Sequence, residues 1–281
     1  MSWRRGWGAA AGALALAAAA CGRLGYDPGA PPDAAGGGAI DAGAPDAAPP
    51  RPLCEEIPLL AEAPVIDGMI DGALVPFAVE VGGWKGPPEG PPPGNVASAA
   101  VGWWPGGLYL YIEVLDPERL PPPATDPTWC GDGVEIYVDA DGALVAPPAY
   151  DETGTRQLVL VAPADDTTAV ARGEIFTQTA LVGEWPAGFV ATPRAGGYMA
   201  EAIVVAADLG LDEWPLAAGQ RVGLDLAINV SNTDATTTEP NCPNGTRLGQ
   251  YFLRVDPADT SECLGHPYCN AAAFCAPLLA P

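Results

Sequence analysis

The chain has 281 residues and a formal net charge of −23, with one histidine and 33 prolines. A chain this acidic repels the phosphate backbone of nucleic acids and anionic lipid surfaces, so nucleic acid is excluded as an expected partner. Seven cysteines without any CxxC spacing indicate disulfides formed in an oxidising compartment, and they do not indicate a zinc site.

Residues 1–20 have the pattern of an export signal peptide. Arg4 and Arg5 precede an apolar run from Ala9 to Ala20 that is shorter than a membrane span. The junction into Cys21 resembles a bacterial lipobox, which predicts that Cys21 carries a lipid and is the first mature residue. Removing Cys21 also leaves six cysteines, an even number. Plain secretion with an ordinary thiol at Cys21 is the alternative. We expect an exported lipoprotein of the bacterial outer membrane or cell surface.

Residues 21–52 consist mainly of Gly, Ala, Pro and Asp, with almost no large apolar side chain. Such a segment cannot bury enough surface to offset its chain entropy. It is predicted to be a disordered linker between the lipid and a folded domain. That domain is predicted to cover residues 53–256, with a Cys-rich tail at 257–281 packed on it.

Short apolar or alternating runs bounded by Gly and Pro turns fill the predicted domain. The run 222–230, for example, alternates apolar and small or polar residues, which is typical of a half-buried strand. One helical turn is predicted at 206–211. No segment keeps a helical period, so the pattern predicts an all-β sandwich of two packed sheets. The predicted strands are 77–81, 98–104, 108–115, 134–138, 157–162, 169–177, 188–192, 198–205, 222–230 and 250–255.

The stretch 125–141 is unusual because three acids surround one predicted strand. Trp129 precedes the strand in a polar loop, and Asp132, Glu135 and Asp139 follow within ten residues. The alternation again predicts a strand buried on one face only. Carboxylates in such a place accept hydrogen bonds from loop amides or sugar hydroxyls, or they bind Ca²⁺. The residues alone do not choose among these roles.

Five segments occur in an order known from one family. Between Ile57 and Val255 the chain contains PVIDGMIDGA, WWPGGLYLYIEVLD, WCGDGVEIYVDAD, GYMAEAIVV and GQRVGLDLAINVSNTD. This order resembles the family 9 carbohydrate-binding modules and their DOMON-like β-sandwich relatives. The resemblance implies a two-sheet antiparallel sandwich of jelly-roll type, non-catalytic, that binds a polysaccharide or oligosaccharide and holds structural Ca²⁺.

The resemblance also implies a sugar site of aromatic and polar residues. An aromatic face stacks on the apolar C–H face of a sugar ring. Adjacent strand residues point to opposite faces, so at most one of Trp103 and Trp104 is expected in the core. For Asp132 and Glu135 the alternative is a buried polar network that fixes the loop. The sugar-site candidates are Trp129, Trp84, Trp103, Trp104, Asp132, Glu135 and Asn229.

The resemblance raises two cofactors, calcium and haem. The residues of the right type for Ca²⁺, none of them with EF-hand spacing, are Asp139, Asp141, Asp225, Asn232 and Asp234. Some DOMON relatives bind haem, for which Met199 or His266 is the available ligand. A methionine on an apolar strand ordinarily packs in the core, so no haem is expected.

The six remaining cysteines are predicted to form disulfides. Cys130 and Cys242 each lie in a polar loop beside a strand that matches the family, and we expect them to pair. Cys54, Cys263, Cys269 and Cys275 are expected to tie the tail to the start of the domain, with their pairing left open.

The sequence therefore predicts a non-catalytic carbohydrate-binding module of a cell-envelope lipoprotein. No Ser lies in a GxSxG motif, which disfavours that type of hydrolase. The alternative is a structural or protein-interaction lipoprotein that keeps the sandwich without a sugar site.

Overall fold

A computed structural model gives the fold of the chain. The predicted signal peptide, Cys21 and nearly all of the predicted linker lie outside the residues it describes. Within the described residues, no helix combines the length and apolarity needed to cross a bilayer. The structure describes residues 52–71, 74, 76–79, 84–87, 90, 92–94, 96–140, 154–178, 180–186, 188–232, 242, 244–245, 247–253 and 274–281.

The described residues form thirteen β-strands and only three short helical segments. The helical segments are the single turn Pro52–Glu55 and the 3-10 turns Thr128–Cys130 and Ala206–Leu209. The strands are β1 (Glu56–Ile57), β2 (Phe77–Val79), β3 (Val96–Trp104), β4 (Gly107–Leu115), β5 (Gly133–Asp139), β6 (Thr155–Val161), β7 (Gly173–Phe176), β8 (Leu181–Glu184), β9 (Phe189–Arg194), β10 (Gly197–Val205), β11 (Gly223–Ser231), β12 (Arg247–Phe252) and β13 (Leu278–Leu279).

Two antiparallel sheets make up the sandwich, which confirms the predicted fold class. One sheet has five strands in the order β2-β3-β4-β10-β9, and the other has six in the order β12-β11-β5-β6-β7-β8. A third, parallel pair joins β1 to β13. The predicted strands are present, but β1, β8 and β13 were missed. They are two to four residues long, and β8 is a largely exposed edge strand, so none shows a clear alternation.

The core lies between the two large sheets and is built from alternate residues of their strands. On the five-stranded sheet, Leu110 and Ile112 point inward. On the six-stranded sheet, Ile136 and Leu226 do so, and all four are fully buried in one apolar cluster. Burying each such side chain contributes about 1.5–3 kcal/mol, so this cluster is what holds the sheets together.

The polar face of β5 is buried as well, so the prediction of a half-buried strand was wrong. All seven residues of β5 are buried, including Glu135 and Asp139. The ring of Phe274 packs on Tyr137 of this face, with ring centroids 5.9 Å apart. The outer face of the six-stranded sheet is therefore covered around β5, and the polar groups of that strand must find partners within the protein.

Candidate functional site

The loop before β5 presents Trp129 and is held rigidly by polar contacts. Arg172 donates hydrogen bonds to the carbonyl oxygens of Pro122 (2.9 Å) and Asp126 (2.6 Å). Thr128 donates through its backbone N–H and its hydroxyl to one carboxylate oxygen of Glu174, each at 2.9 Å. These bonds all reach loop residues that precede Trp129, so they hold the backbone that leads into that residue.

A disulfide attaches the same loop to the segment that leads into β12. Cys130 and Cys242 are bonded, with Cα atoms 5.5 Å apart, which confirms the predicted pair. Next to it, the Asp126 carboxylate accepts hydrogen bonds from the backbone N–H of Asn244 (2.9 Å) and from its side-chain amide (3.1 Å). These contacts bring the Trp129 loop beside the start of β12, where Arg247 lies.

Asp132 fixes the loop and is not placed to contact a ligand. Its carboxylate is fully buried and accepts hydrogen bonds from the backbone N–H of Leu120 and from that of Ser231, the latter at 2.6 Å. The prediction of Asp132 as a sugar contact was therefore wrong, and the alternative of a buried network that holds the loop is what the structure shows. The reason is that two backbone amides use both of its oxygens.

Burial raises the pKa of Asp132 well above its usual value of 3.8, and the neighbouring charge of Asp116 raises it further. The stability that Asp132 contributes is thus fully present below pH 3.8, its unfolded value, and is lost as pH rises through the folded-state pKa. For one proton the loss is at most about 1.4 kcal/mol per pH unit.

We expect Asp116→Asn to weaken the pH dependence of the unfolding free energy, because removing the neighbouring charge lowers the pKa of Asp132. Urea unfolding between pH 4 and 8 measures this dependence. Glu118→Gln is the matched control, since Glu118 is exposed and should leave the pH dependence as it is. An unchanged slope in Asp116→Asn would contradict the expectation.

Glu135 lies at the centre of a polar cluster on the outer face of the six-stranded sheet. One carboxylate oxygen accepts from the Tyr137 hydroxyl and from the side-chain amide of Gln157 (2.8 Å). The other accepts from the side-chain amide of Asn229 (2.8 Å) and lies 3.5 Å from a guanidinium nitrogen of Arg247. A buried carboxylate is tolerated here because four donors surround it.

The hydrogen-bonded polar side chains around Glu135 continue onto β12, at the edge of the sheet. The side-chain amide of Gln250 donates to the side-chain oxygen of Asn229 at 2.7 Å. The backbone of Gln250 pairs with Lys85 through two hydrogen bonds of 2.8 Å. We call Glu135, Gln157, Asn229, Arg247 and Gln250 the polar row.

Trp129 lies over one end of the polar row. The guanidinium carbon of Arg247 is 4.9 Å from the centre of the Trp129 ring, a cation–π contact. Trp129 is only partly buried, so part of its ring remains accessible. An accessible aromatic ring beside buried, ordered amides is the arrangement with which proteins bind sugars: stacking on the ring and hydrogen bonds to hydroxyl groups.

The other predicted tryptophans lie elsewhere. Trp103 is buried in the core and its indole N–H donates to the carbonyl of Ala280, so its prediction as a sugar contact was wrong. Trp84 packs against Tyr251 on the inner side of β12, with ring centroids 5.3 Å apart, and its indole N–H donates to the carbonyl of Pro87. Trp84 is therefore a packing residue at the sheet edge and is not part of the polar row.

Trp104 confirms that the two neighbouring tryptophans point opposite ways. It is partly buried and packs on the outer face of the five-stranded sheet, near Ile70 and Ile203. That face belongs to the other sheet, so Trp104 cannot share a binding site with Trp129.

The predicted calcium ligands do not make a site within the described residues. Asp139 and Asp225 are both fully buried on the outer face of the six-stranded sheet, at the end where β11 begins. Asn232 follows the other end of β11, about 24 Å away along the strand, so it cannot share an ion with them. Asp141 and Asp234 lie outside the described residues.

Asp139 and Asp225 supply at most four carboxylate oxygens, so a Ca²⁺ ion, which takes six to eight oxygen ligands, would need further ligands. The described residues also contain no cluster of three His, Cys, Asp or Glu side chains arranged for a metal. Calcium binding therefore stays a prediction.

A buried carboxylate also lies on the outer face of the five-stranded sheet. Glu201 accepts hydrogen bonds from the backbone N–H of Gly68 (2.7 Å) and the hydroxyl of Tyr109 (2.8 Å), and its burial raises its pKa. A shallow hollow of about 450 Å³ opens beside Gly68. It offers no aromatic ring for stacking, so it suits a sugar less well than Trp129 does. Its lining residues are Ile66, Asp67, Gly68, Val190, Thr192 and Arg194.

The structure describes some of the remaining cysteines and one of the two haem-ligand candidates. Cys54 and Cys275 form a disulfide, which confirms that the tail is tied to the start of the domain, while Cys263 and Cys269 lie outside the described residues. Met199 is fully buried among apolar side chains on the outer face of the five-stranded sheet. His266 lies outside the described residues.

Three residues of the polar row were not predicted: Gln157, Gln250 and Arg247. Gln157 and Gln250 are polar residues next to apolar ones within their strands, a signal that also marks any exposed strand face. Arg247 and Gln250 are three residues apart, so simple alternation places them on opposite faces, and they share a face because the register shifts between Val230 and Ser231. Only the pairing of β5, β6, β11 and β12 shows that these side chains meet Glu135 and Asn229.

Two solved structures of carbohydrate-binding modules are among those that resemble this fold. Both are a family 9 carbohydrate-binding module from Caldicellulosiruptor kristjanssonii, one in complex with cellotriose and one with glucose. The cellotriose complex has 17% identity and a TM-score of 0.53 and covers 80% of this chain and 94% of that one. The glucose complex has 18% identity and a TM-score of 0.52 and covers 80% and 95%. At such low identity the likeness shows a shared fold.

Among curated proteins, no sequence matches this chain significantly. The family model described as "Carbohydrate family 9 binding domain-like" matches residues 93–242. This range is more than half of the chain, and it runs from the start of the β3–β4 hairpin through Trp129, Glu135, Gln157 and Asn229 to Cys242. The chain therefore belongs to the carbohydrate family 9 binding domain-like family.

Proposed function

We propose that this chain is a non-catalytic carbohydrate-binding module whose site is Trp129 together with the polar row. The observation that carries the proposal is the contact of the partly accessible Trp129 ring with Arg247, directly beside buried amides of fixed orientation. Family membership and the sugars bound by the two similar structures support it. Those structures also suggest neutral gluco-oligosaccharides as the first ligands to try.

The hydrogen bonding of Glu135 supports a binding role over hydrolysis. Glycosidases need one carboxyl group to deliver a proton and a second to act as base or nucleophile. Glu135 is surrounded by four donors, and Asp132 is fully buried and bonded to two backbone amides. Neither carboxyl group has a free oxygen that faces a substrate.

Calorimetric titration of the full chain with cellotriose and with glucose tests the proposal. Carbohydrate modules of this kind are expected to bind in the micromolar to millimolar range, about −4 to −8 kcal/mol. Titrations in Ca²⁺ and in a chelator test the predicted calcium requirement in the same experiment. If a broad set of neutral glycans fails to bind at millimolar concentration to the folded protein, the alternative of a structural or protein-interaction lipoprotein replaces this proposal.

The cellular place of the module is proposed from two features. Disulfides persist in oxidising compartments, and the bonds Cys130–Cys242 and Cys54–Cys275 therefore favour an exported protein. The lipobox-like junction before Cys21 favours attachment to a bacterial membrane through a lipid. Incorporation of radiolabelled palmitate into the wild-type chain, and its loss in Cys21→Ser, tests the anchor. Absence of label from the wild type would remove it.

A further inference from the structure

Glu135 uses its whole carboxylate on neighbouring protein groups. One oxygen accepts from Tyr137 and Gln157, and the other faces Asn229 and Arg247. The residue is 1% exposed. A sugar hydroxyl that bonded to this carboxylate would have to displace one of these donors, so direct contact would gain little.

The charge of Glu135 fixes the orientation of the amides around it. An ionised carboxylate only accepts hydrogen bonds, so the side chains of Gln157 and Asn229 must turn their NH₂ groups toward it. The oxygen of Asn229 then faces Gln250 and accepts from its NH₂ group. This chain of bonds leaves the side-chain oxygens of Gln157 and Gln250 as acceptors, and neither receives a hydrogen bond from the described residues.

We propose that Glu135 is a positioning residue, which sets the donor–acceptor polarity of the sugar site without touching the ligand. The oxygens of Gln157 and Gln250 then accept from hydroxyl groups of the ligand, while Trp129 stacks on its ring. This proposal rests on the proposed function, and it specifies which hydrogen-bond acceptors that site offers to a sugar.

The polarity implies discrimination against acidic sugars. A carboxylate or sulfate group cannot donate a hydrogen bond to the two glutamine oxygens. Its negatively charged oxygens would instead be repelled by them. The positive charge of Arg247 is directed at Glu135 at 3.5 Å and covered by the Trp129 ring. The net charge of −23 adds a repulsion at longer range.

A charge exchange within the polar row tests the positioning role. In Glu135→Gln the row loses its acceptor-only centre, so the amides are free to turn, and we expect cellotriose affinity to fall at least tenfold. Adding Asn229→Asp returns a carboxylate to the row one strand away. Its oxygens can accept from the amide introduced at position 135 and from Gln250, and the oxygens of Gln157 and Gln250 are again left as acceptors. We expect the double variant to regain affinity to within threefold of the wild type.

Binding is measured by calorimetry on the full chain, with near-ultraviolet circular dichroism to show that each variant is folded. A merely structural role for Glu135 predicts that the double variant binds no better than Glu135→Gln. A direct contact predicts the same result, because the carboxylate has moved. Either that outcome or unchanged affinity in Glu135→Gln would overturn the proposal.

A ligand comparison decides the question even if Glu135→Gln does not fold. The wild type is titrated with cellotriose and with a trisaccharide of the same linkage that carries a uronic acid carboxylate. We expect the acidic ligand to bind at least tenfold more weakly at about 1 M salt, where the Debye length is about 3 Å and the long-range repulsion is screened, and equal affinity would overturn the proposal. Failure of the wild type to bind any glycan would instead refute the proposed function, so the two failures are distinguishable.

Discussion

Replacing Trp129 with alanine is expected to abolish most of the sugar affinity while the protein stays folded. The stacking surface would be lost, and Arg247 would lose the ring that orients it. Aromatic anchors of this kind typically contribute 2 kcal/mol or more, so we expect affinity for cellotriose to fall by a factor of about 30 or more. The fold should survive because the loop is also held by Arg172, Glu174 and the Cys130–Cys242 disulfide.

Trp104→Ala is the matched control for that experiment. Trp104 is also a partly buried tryptophan, but it lies on the outer face of the other sheet. We expect it to leave sugar affinity unchanged. Calorimetric titration gives the affinities and thermal unfolding gives the stability of both variants. Equal losses of affinity in the two variants, or a collapse of stability in Trp129→Ala, would show that Trp129 is a packing residue.

Removing the Cys130–Cys242 disulfide is expected to lower both stability and sugar affinity. The bond closes a loop with a sequence separation of 112 residues. In the chain-entropy model a loop of this size is worth about 4–5 kcal/mol of unfolding free energy. The bond also joins the loop of Trp129 to the segment that leads to Arg247, so the paired variant Cys130→Ser/Cys242→Ser should loosen the ring from the polar row. We expect roughly tenfold weaker binding, about 1.4 kcal/mol.

The second disulfide provides the control. Cys54–Cys275 closes a loop with a sequence separation of 221 residues, so Cys54→Ser/Cys275→Ser should lose a comparable unfolding free energy. Cys275 forms a bridge to Leu224 near the start of β11, whereas the Trp129 loop meets Ser231 at its end. Urea unfolding with titration of both variants separates stability from binding. Equal losses of affinity would mean that the first disulfide acts through general stability alone.

Local pattern predicted those parts of the site that lie within one segment. The alternation around Val134–Val138 gave the strand, and the position of Trp129 in a polar loop before it gave the accessible aromatic ring. Cys130 and Cys242 were paired because each loop borders a strand that matches the family. The confirmed bond joins residues whose sequence separation is 112.

Roles that depend on neighbours from distant segments could not be predicted. Asp132 and Glu135 are both acids at one strand, yet Asp132 bonds to backbone amides and Glu135 to side chains of β6, β11 and the start of β12. Arg247 was overlooked because nothing near it in sequence marks it as a partner of Trp129. The residues around Trp84, Trp103 and Trp104 in the sequence do not distinguish these three from Trp129.

The sequence by itself determined an acidic chain of many short alternating strands. This pattern specifies an all-β sandwich because a period of two places apolar side chains on one face of a strand, and that face is buried against a second sheet. The sequence also determined that a tryptophan and several acids flank β5. Only the tertiary structure decided that the polar face of β5 is buried, that Trp103 and Trp84 pack while Trp129 faces the polar row, and that Glu135 has four donors. The physical reason is that three of the four donors to Glu135 come from segments that are more than twenty residues away from it in the chain and become neighbours only when the sheet has formed.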